Sequence, residues 1–290
     1  MNALEVGCEQ IIGAYGRGEL SPPMALQRLL TIEEDLDRLP QRLAQGEEVR
    51  ALAELAEGDP RDLARTAAAL RTMARAELAG RDAAERVAAC ARMFDLALTW
   101  SPEAAVAGHS LGDPFRFAEA TAEAAALLDR LGVLLPGRHL LDLGCGIGRL
   151  EEALARRVGA ITGIDVSARM LAEARKRCTG LANVRLRPTS GLDLAPFVVA
   201  TFDAVIAFDS LPYVFMAGGH ELVDAMFAEI ARVLRPGGDL VALNLTYRGG
   251  LARDRADAQA LAAAHGLELL RSGTHDLELC DGATFHFRRR

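Results

Sequence analysis

An excess of basic charge is the first thing this sequence lacks. Its 33 basic and 40 acidic residues leave a formal charge of −7 over 290 residues. A non-specific nucleic-acid binder needs a basic surface to meet phosphates, so this balance argues against one. Lysine is nearly absent: Lys176 is the only one, a bias that reads as GC-rich coding rather than a binding feature. Cysteines number five, at positions 8, 90, 145, 178 and 280, and none falls into a CxxC or Cys/His zinc spacing. Free thiols in a reducing compartment are the simpler expectation. No apolar run approaches the roughly 20 residues that cross a bilayer. The opening MNALEVGCEQ has acidic residues and no apolar signal-peptide core. A soluble, cytoplasmic protein is therefore expected. There is no internal repeat, no Ser-His-Asp arrangement and no metal-ligand cluster, so neither a triad hydrolase nor a metal centre is expected.

What is present is ordinary globular composition, half hydrophobic and a quarter charged, with length enough for one large domain or two. The first hundred residues read as helix. Leu29, Ile32, Leu36, Leu39 and Leu43 recur at helical spacing, interrupted by Pro40, which should end or kink that helix. Gly46 reads as a break, followed by a short helix through Val49, Leu52 and Leu55. In EGDP, Asp59 is a candidate N-cap with Pro60 at the first helical position. Leu63 to Leu78 then forms a helix closed by Gly80, and Val87, Cys90, Phe94 and Ala97 mark another. Residues 101–113 read as a linker or lid loop. Asp113 and Pro114 open the next helix, which Gly132 ends.

Beyond residue 138 short apolar runs alternate with amphipathic helices. The runs are HLLDL (139–143), ITGID (161–165), NVRLR (183–187), FDAVIAF (202–208) and DLVALNLT (239–246). Helices fall at about 148–158, 167–178, 219–234 and 252–265. Continuous apolarity implies strands buried on both faces, hence a parallel sheet covered by helices. At the C-terminus, Asp281-Gly282 between apolar runs favours a tight hairpin.

The densest signal is LLDLGCGIGRL, residues 140–150. Three alternate glycines between a strand and a helix let a ligand approach the backbone and face the helix N-terminal amides. Asp165 follows 21 residues after Gly144, at the end of the next strand, where a carboxylate can accept hydrogen bonds from ribose hydroxyls. The nicotinamide fingerprint GxGxxG would place its last glycine at Arg149. The GxGxG here, preceded by Asp142, resembles motif I of the class I S-adenosylmethionine-dependent methyltransferases. GIDVSARML (163–171), FDAVIAFDSL (202–211) and LRPGGDLVALN (234–244) resemble the family's later elements, so the resemblance covers about 115–290.

That resemblance implies a Rossmann-like α/β fold: a seven-stranded, mostly parallel sheet with an antiparallel C-terminal hairpin, preceded by an all-helical domain. The implied division is 1–100 helical, 101–113 linker and 114–290 cofactor-binding. It implies S-adenosylmethionine as cofactor, no metal, and a donor site at Gly144, Cys145 and Gly146. Asp142 would orient the loop or the cofactor's amino group, Asp165 would hold the ribose with Met170 packing near the adenine, and Val166 would be a further cofactor-binding residue. Phe208 would offer a backbone contact to the methionine end. Many members carry an acid after the third strand; here PTSGLDL puts Ser190 and Gly191 there, with Asp193 slightly later.

Ligands of open α/β sheets bind beyond the carboxyl ends of the strands. The loop after the fourth strand therefore offers Asp209, Tyr213 and His220 for catalysis, the fifth offers Tyr247, and the preceding linker offers His109. DSLPY fails the Pro-Pro-aromatic pattern of nucleic-acid amino-methyltransferases. Residues 1–100, with 12 basic and 17 acidic side chains, are no nucleic-acid clamp and suit a lid, a homodimer interface or carrier recognition. The expected reaction is methyl transfer to an O or N atom of a small molecule, with Asp209, His109 and Tyr213 as catalytic candidates. Alternatives are a protein or carrier-bound substrate, and a non-methylating cofactor-binding regulator.

Overall fold

The computed structural model describes residues 3–43 and 49–290, in two compact units that interleave along the chain. The first comprises 1–76, 93–120 and 277–281, and the second 77–92, 121–276 and 282–290. The expected division was into consecutive segments. Gly46 lies outside the described residues.

The first unit is helical: α1 (Ala3–Gly16), α2 (Pro22–Ile32), α3 (Leu39–Leu43), α4 (Arg50–Ala56), α5 (Pro60–Ala74) and the end of α6 (Ala83–Trp100). It is completed by α7 (Pro102–Val106) and the start of α8 (Pro114–Arg130). Leu26, Leu29, Leu30, Leu52, Leu63 and Leu70 share one core. Asp59 caps α5 as expected, accepting from Arg61 N at 2.8 Å. The break expected at Pro40 occurs earlier. Helix α2 stops at Ile32, where the Glu33 carboxylate accepts from the Asp35 amide and competes with the helix. Pro40 instead sits in the first turn of α3, where its missing N–H costs nothing. Helix α5 ends at Ala74, short of the expected Gly80. Residues 101–113 are no free linker: Ser101 caps α7, and Ala104, Ala105 and Leu111 are buried.

The second unit is built on seven strands: β1 (His139–Leu143), β2 (Ala160–Asp165), β3 (Val184–Pro188), β4 (Phe202–Phe208), β5 (Leu234–Leu243), β6 (Leu267–His275) and β7 (Ala283–Arg289). Their order is β3-β2-β1-β4-β5-β7-β6, with all neighbours from β3 to β5 parallel and β7 antiparallel to both β5 and β6. This is the expected Rossmann-like sheet. Between the strands run α9 (Arg149–Leu154), α10 (Ala168–Arg177), α11 (Leu211–Val233) and α12 (Leu251–Ala264). Leu141, Val205 and Leu240 pack with Met226, Phe227 and Ile230 of α11. The alternate residues Leu140, Ile206 and Val241 are equally buried, as a sheet covered on both faces requires.

Three local expectations fail. Helix α11 starts at Leu211, eight residues early, and kinks at Gly219, where φ is 65°. Strand β5 begins at Leu234 and stops before Asn244, whose left-handed φ of 58° ends the run expected to reach Thr246. The β6–β7 connection is 276–282 rather than a tight Asp281-Gly282 turn. Asp281 works elsewhere, accepting from the Ser21 amide at 3.1 and 3.2 Å in the first unit. Among the described residues no helix is long and apolar enough to cross a membrane.

Candidate active site

Strands β1, β2 and β3 are laid down in one direction and β4 is added on the other side of β1. The switch point therefore lies between β1 and β4, and two loops meet there. Gly144 leaves β1 with a φ of 82°, and a Cβ on it would stand 2.7 Å from Ser210 Cβ in the loop after β4. Only glycine allows both the turn and the approach. The Gly144 and Cys145 amides both donate to Ile164 O of β2, at 2.8 and 3.0 Å.

Asp165 clamps this loop from the end of β2. Its Oδ2 accepts from Gly146 N at 2.9 Å and its Oδ1 from Ser167 N at 2.8 Å. Ser167 in turn caps α10 by accepting from Met170 N at 3.0 Å. Behind the loop, Asp142 and Glu151 are both buried. Burial pushes both carboxyls up, Asp142 to about 7 against the Arg149 charge and the bond with Glu151, and Glu151 well above its ordinary range with the Asp142 charge adding to it. Arg149, where a nicotinamide site would have glycine, sets its positive charge against both Asp142 and Asp209.

Across the switch point Asp209 ends β4 with a left-handed φ of 56°. A non-glycine residue there is strained by roughly 1–3 kcal/mol and must be held by its surroundings. Its Oδ1 accepts from Asn244 Nδ2 at 2.7 Å and from Tyr247 OH at 2.8 Å. Asn244 cannot turn away, because its Oδ1 accepts from Ala283 N at 3.0 Å. One carboxylate oxygen is thus held by two donors. Desolvation raises the Asp209 pKa, against the bonds from Asn244 and Tyr247 and the charge of Arg149. Tyr213 meets Tyr247 edge-on, with centroids 5.9 Å apart. Burial drives the Tyr213 phenol up, so it stays protonated at any working pH.

Cys145, Gly146, Phe208, Val166, Met170 and Gly191 lie with these groups in the second unit. Ser190 is exposed, with its Oγ accepting from Leu192 N, and Asp193 caps Ala195 N. His220 lies beside Arg248, which donates to its Nε2 at 3.1 Å, over the Phe215 ring. That arrangement ties α11 to the loop after β5. His109 belongs to the first unit, in the turn Gly108–Ser110. Sequence reasoning missed Asn244 and Glu151. A polar side chain ending an apolar strand, as in VALNL, was the available signal for Asn244; nothing marks a buried acid one turn into a helix. Among the described residues no cluster of three or more His, Cys, Asp or Glu is placed to hold a metal.

Residues 141–242 match the methyltransferase domain family. The ubiquinone biosynthesis O-methyltransferase of Caulobacter vibrioides is 30% identical over 185 residues, covering 61% of this chain and 68% of that protein. The chain belongs to the class I S-adenosylmethionine-dependent methyltransferases. A demethylmenaquinone methyltransferase of Tropheryma whipplei is 39% identical to this methyltransferase over 111 residues, 38% of the chain and 43% of the relative. The ubiquinone biosynthesis O-methyltransferase of Alkalilimnicola ehrlichii is 35% identical over 145 residues, 49% and 54% of the two. The methyltransferase thus spans about half the length of these two relatives. S-adenosylmethionine is the cofactor, and the loop fits it: backbone amides and a carboxylate meet where a Cβ on Gly144 would intrude.

Proposed function

We propose that this protein methylates a hydroxyl oxygen of a small molecule, with Asp209 as the base. The observation that carries this is the Asp209 carboxylate, with Oδ1 fixed by Asn244 and Tyr247 and Oδ2 unengaged, one loop away from Gly144. A hydroxyl must lose its proton as it is methylated, whereas an amine needs only positioning. A carboxylate raised by burial is the better proton acceptor near neutrality. The names of the O-methyltransferase relatives support the same acceptor atom.

When bound, S-adenosylmethionine supplies an electrophilic methyl group on sulfonium. The chain's own part is to hold, orient and deprotonate. Gly144, Cys145 and Gly146 would line the methionine portion, with Asp142 behind them and the Phe208 backbone beside them. Asp165 would hold the ribose from the end of β2, beside the Gly146 and Ser167 amides that its two oxygens accept from. Val166, Met170 and the Gly191 backbone would flank the adenine; Ser190, exposed, contributes least. Asp209 Oδ2 takes the acceptor's proton while Asn244 and Tyr247 keep the carboxylate from rotating. His109 and Tyr213 have no proton-transfer role in this reading.

The test is a labelled-methyl screen of phenols, aliphatic alcohols and amines with the wild type and Asp209→Asn. Hydroxyl methylation should fall by 10²–10⁴-fold in the variant, with binding of S-adenosylhomocysteine retained. Because the base acts deprotonated, wild-type activity should fall on the acid side at a pH above the ordinary carboxylate range. Equal rates for the two proteins across pH would remove Asp209 from this role.

A further inference from the structure

Tyr247 gives Asp209 one of its two hydrogen bonds, yet burial does not set its position, for it is 51% exposed. Its loop runs from the end of β5 to Gly249, with a φ of 70°, and Gly250, which precedes α12. Two successive glycines transmit little stiffness, because glycine has the most backbone freedom to lose. The Tyr213 edge contact limits the Tyr247 ring on one side. The backbone is held by the residue next to it.

Arg248 collects partners from three elements. On α12, Asp254 and Asp257 are three residues apart and so share a face. Arg248 Nη2 donates to Asp254 Oδ1 at 3.1 Å and to Asp257 Oδ2. Within the loop, Thr246 Oγ1 accepts from Arg248 Nε at 3.0 Å and donates to Asp254 Oδ1 at 2.6 Å. On α11, His220 Nε2 accepts from Arg248 Nη1 at 3.1 Å, and the Phe215 ring centroid lies 4.9 Å from the guanidinium. Residues 215 and 220 of a straight helix would point about 140° apart. The kink at Gly219 lets both reach Arg248, and their rings meet edge-on with centroids 5.1 Å apart. Only the planar fork of arginine offers donors in all these directions; a lysine ammonium is a single point on a flexible stem.

We infer that Arg248 is a positioning residue for Asp209: it fixes the loop after β5 against α11 and α12, so that the adjacent Tyr247 keeps its hydroxyl on Oδ1. The cation felt at Asp209 itself is Arg149, so Arg248 acts by holding the loop and not through its own charge. Its effect on rate rests on the reading of Asp209 as the base, whereas its effect on the Asp209 carboxyl does not.

That carboxyl can be followed without an acceptor, by carbon-13 NMR of the full chain labelled at aspartate, with Asp209→Asn assigning the signal. The Tyr247 bond favours the ionised form, so its loss moves the titration midpoint to higher pH. Arg248→Met should raise the midpoint as far as Tyr247→Phe does, and the double variant no further. Arg248→Lys, which leaves the buried Asp254 a cation, should raise it as well. With a hydroxyl acceptor from the screen above, kcat of both Arg248 variants should fall by roughly 10–100-fold, with S-adenosylhomocysteine affinity unchanged. A wild-type midpoint in either Arg248 variant, or Arg248→Met and Tyr247→Phe shifts that add in the double variant, overturns the inference. Full hydroxyl methylation by Asp209→Asn overturns the base reading and leaves the shifted midpoints, and with them the hold of Arg248 on the carboxyl, standing.

Discussion

Replacing Gly163 by alanine is the sharpest available test of how the donor loop is supported. Gly163 lies in the middle of β2, paired with Asp142 on β1 and Leu186 on β3. A Cβ there would stand 2.3 Å from Glu151 Oε1 and 2.9 Å from both Cβ and Sγ of Cys145. In an open strand the substitution would stabilise by roughly 0.5–1 kcal/mol, because glycine is the costlier residue to order. Here Glu151 is fully buried beside Asp142 and has no polar retreat. Cys145 is tied through its amide to Ile164 O. Overpacking of this kind costs about 1–3 kcal/mol, so the sign of the effect decides the matter. Urea unfolding of wild type, Gly163→Ala, Glu151→Ala and the double variant gives a cycle. The two changes should couple favourably by at least about 0.5 kcal/mol, since shortening Glu151 removes the nearest obstruction. Calorimetry should show weaker S-adenosylhomocysteine binding by Gly163→Ala, because displacement of Cys145 moves the loop amides. A single variant as stable as the wild type, with full ligand affinity, would refute the crowding.

Two further predictions concern pH. Asp239 is buried, and burial alone would raise its pKa, but bonds from His286 Nε2 (3.0 Å) and Arg288 (2.8 and 3.0 Å) hold it low. Its contribution is therefore present above the usual carboxylate range and lost as pH falls through the depressed folded value. Asp239→Ala should cost about 3–5 kcal/mol at pH 7 and flatten the acid limb of denaturation midpoints measured from pH 7 to 3. Glu151 has the opposite sign. Its raised folded pKa means its contribution is full below the unfolded value, about 4.3, and declines as pH rises toward the folded one. Glu151→Gln should gain on the wild type between pH 5 and pH 8, read from urea midpoints; a constant difference would show that Glu151 is ionised in the fold.

Much of the glycine loop's geometry was legible beforehand because its determinants are local. Glycine at alternate positions, an acid ending the next strand, and Ser167 before α10 each act within one β–α step. The first four strands lie within one residue of their expected bounds. The misplaced breaks share a cause: at Glu33 and Asn244 a side chain bonds to backbone or side-chain partners and overrides the hydrophobic period. The loops after β4 and β5 were legible only as a list of candidates. Asp209 and Tyr213 were visible as residues, but what holds Asp209 comes from 35 and 38 positions away.

The sequence by itself determined the strand-by-strand frame and the donor loop, since periodicity and turn chemistry act between near neighbours. Only the tertiary structure decided that Asn244 and Tyr247 hold Asp209 and that Glu151 occupies the space above Gly163. Those contacts depend on strand order and on which glycines leave room, and both are set by the packed sheet as a whole.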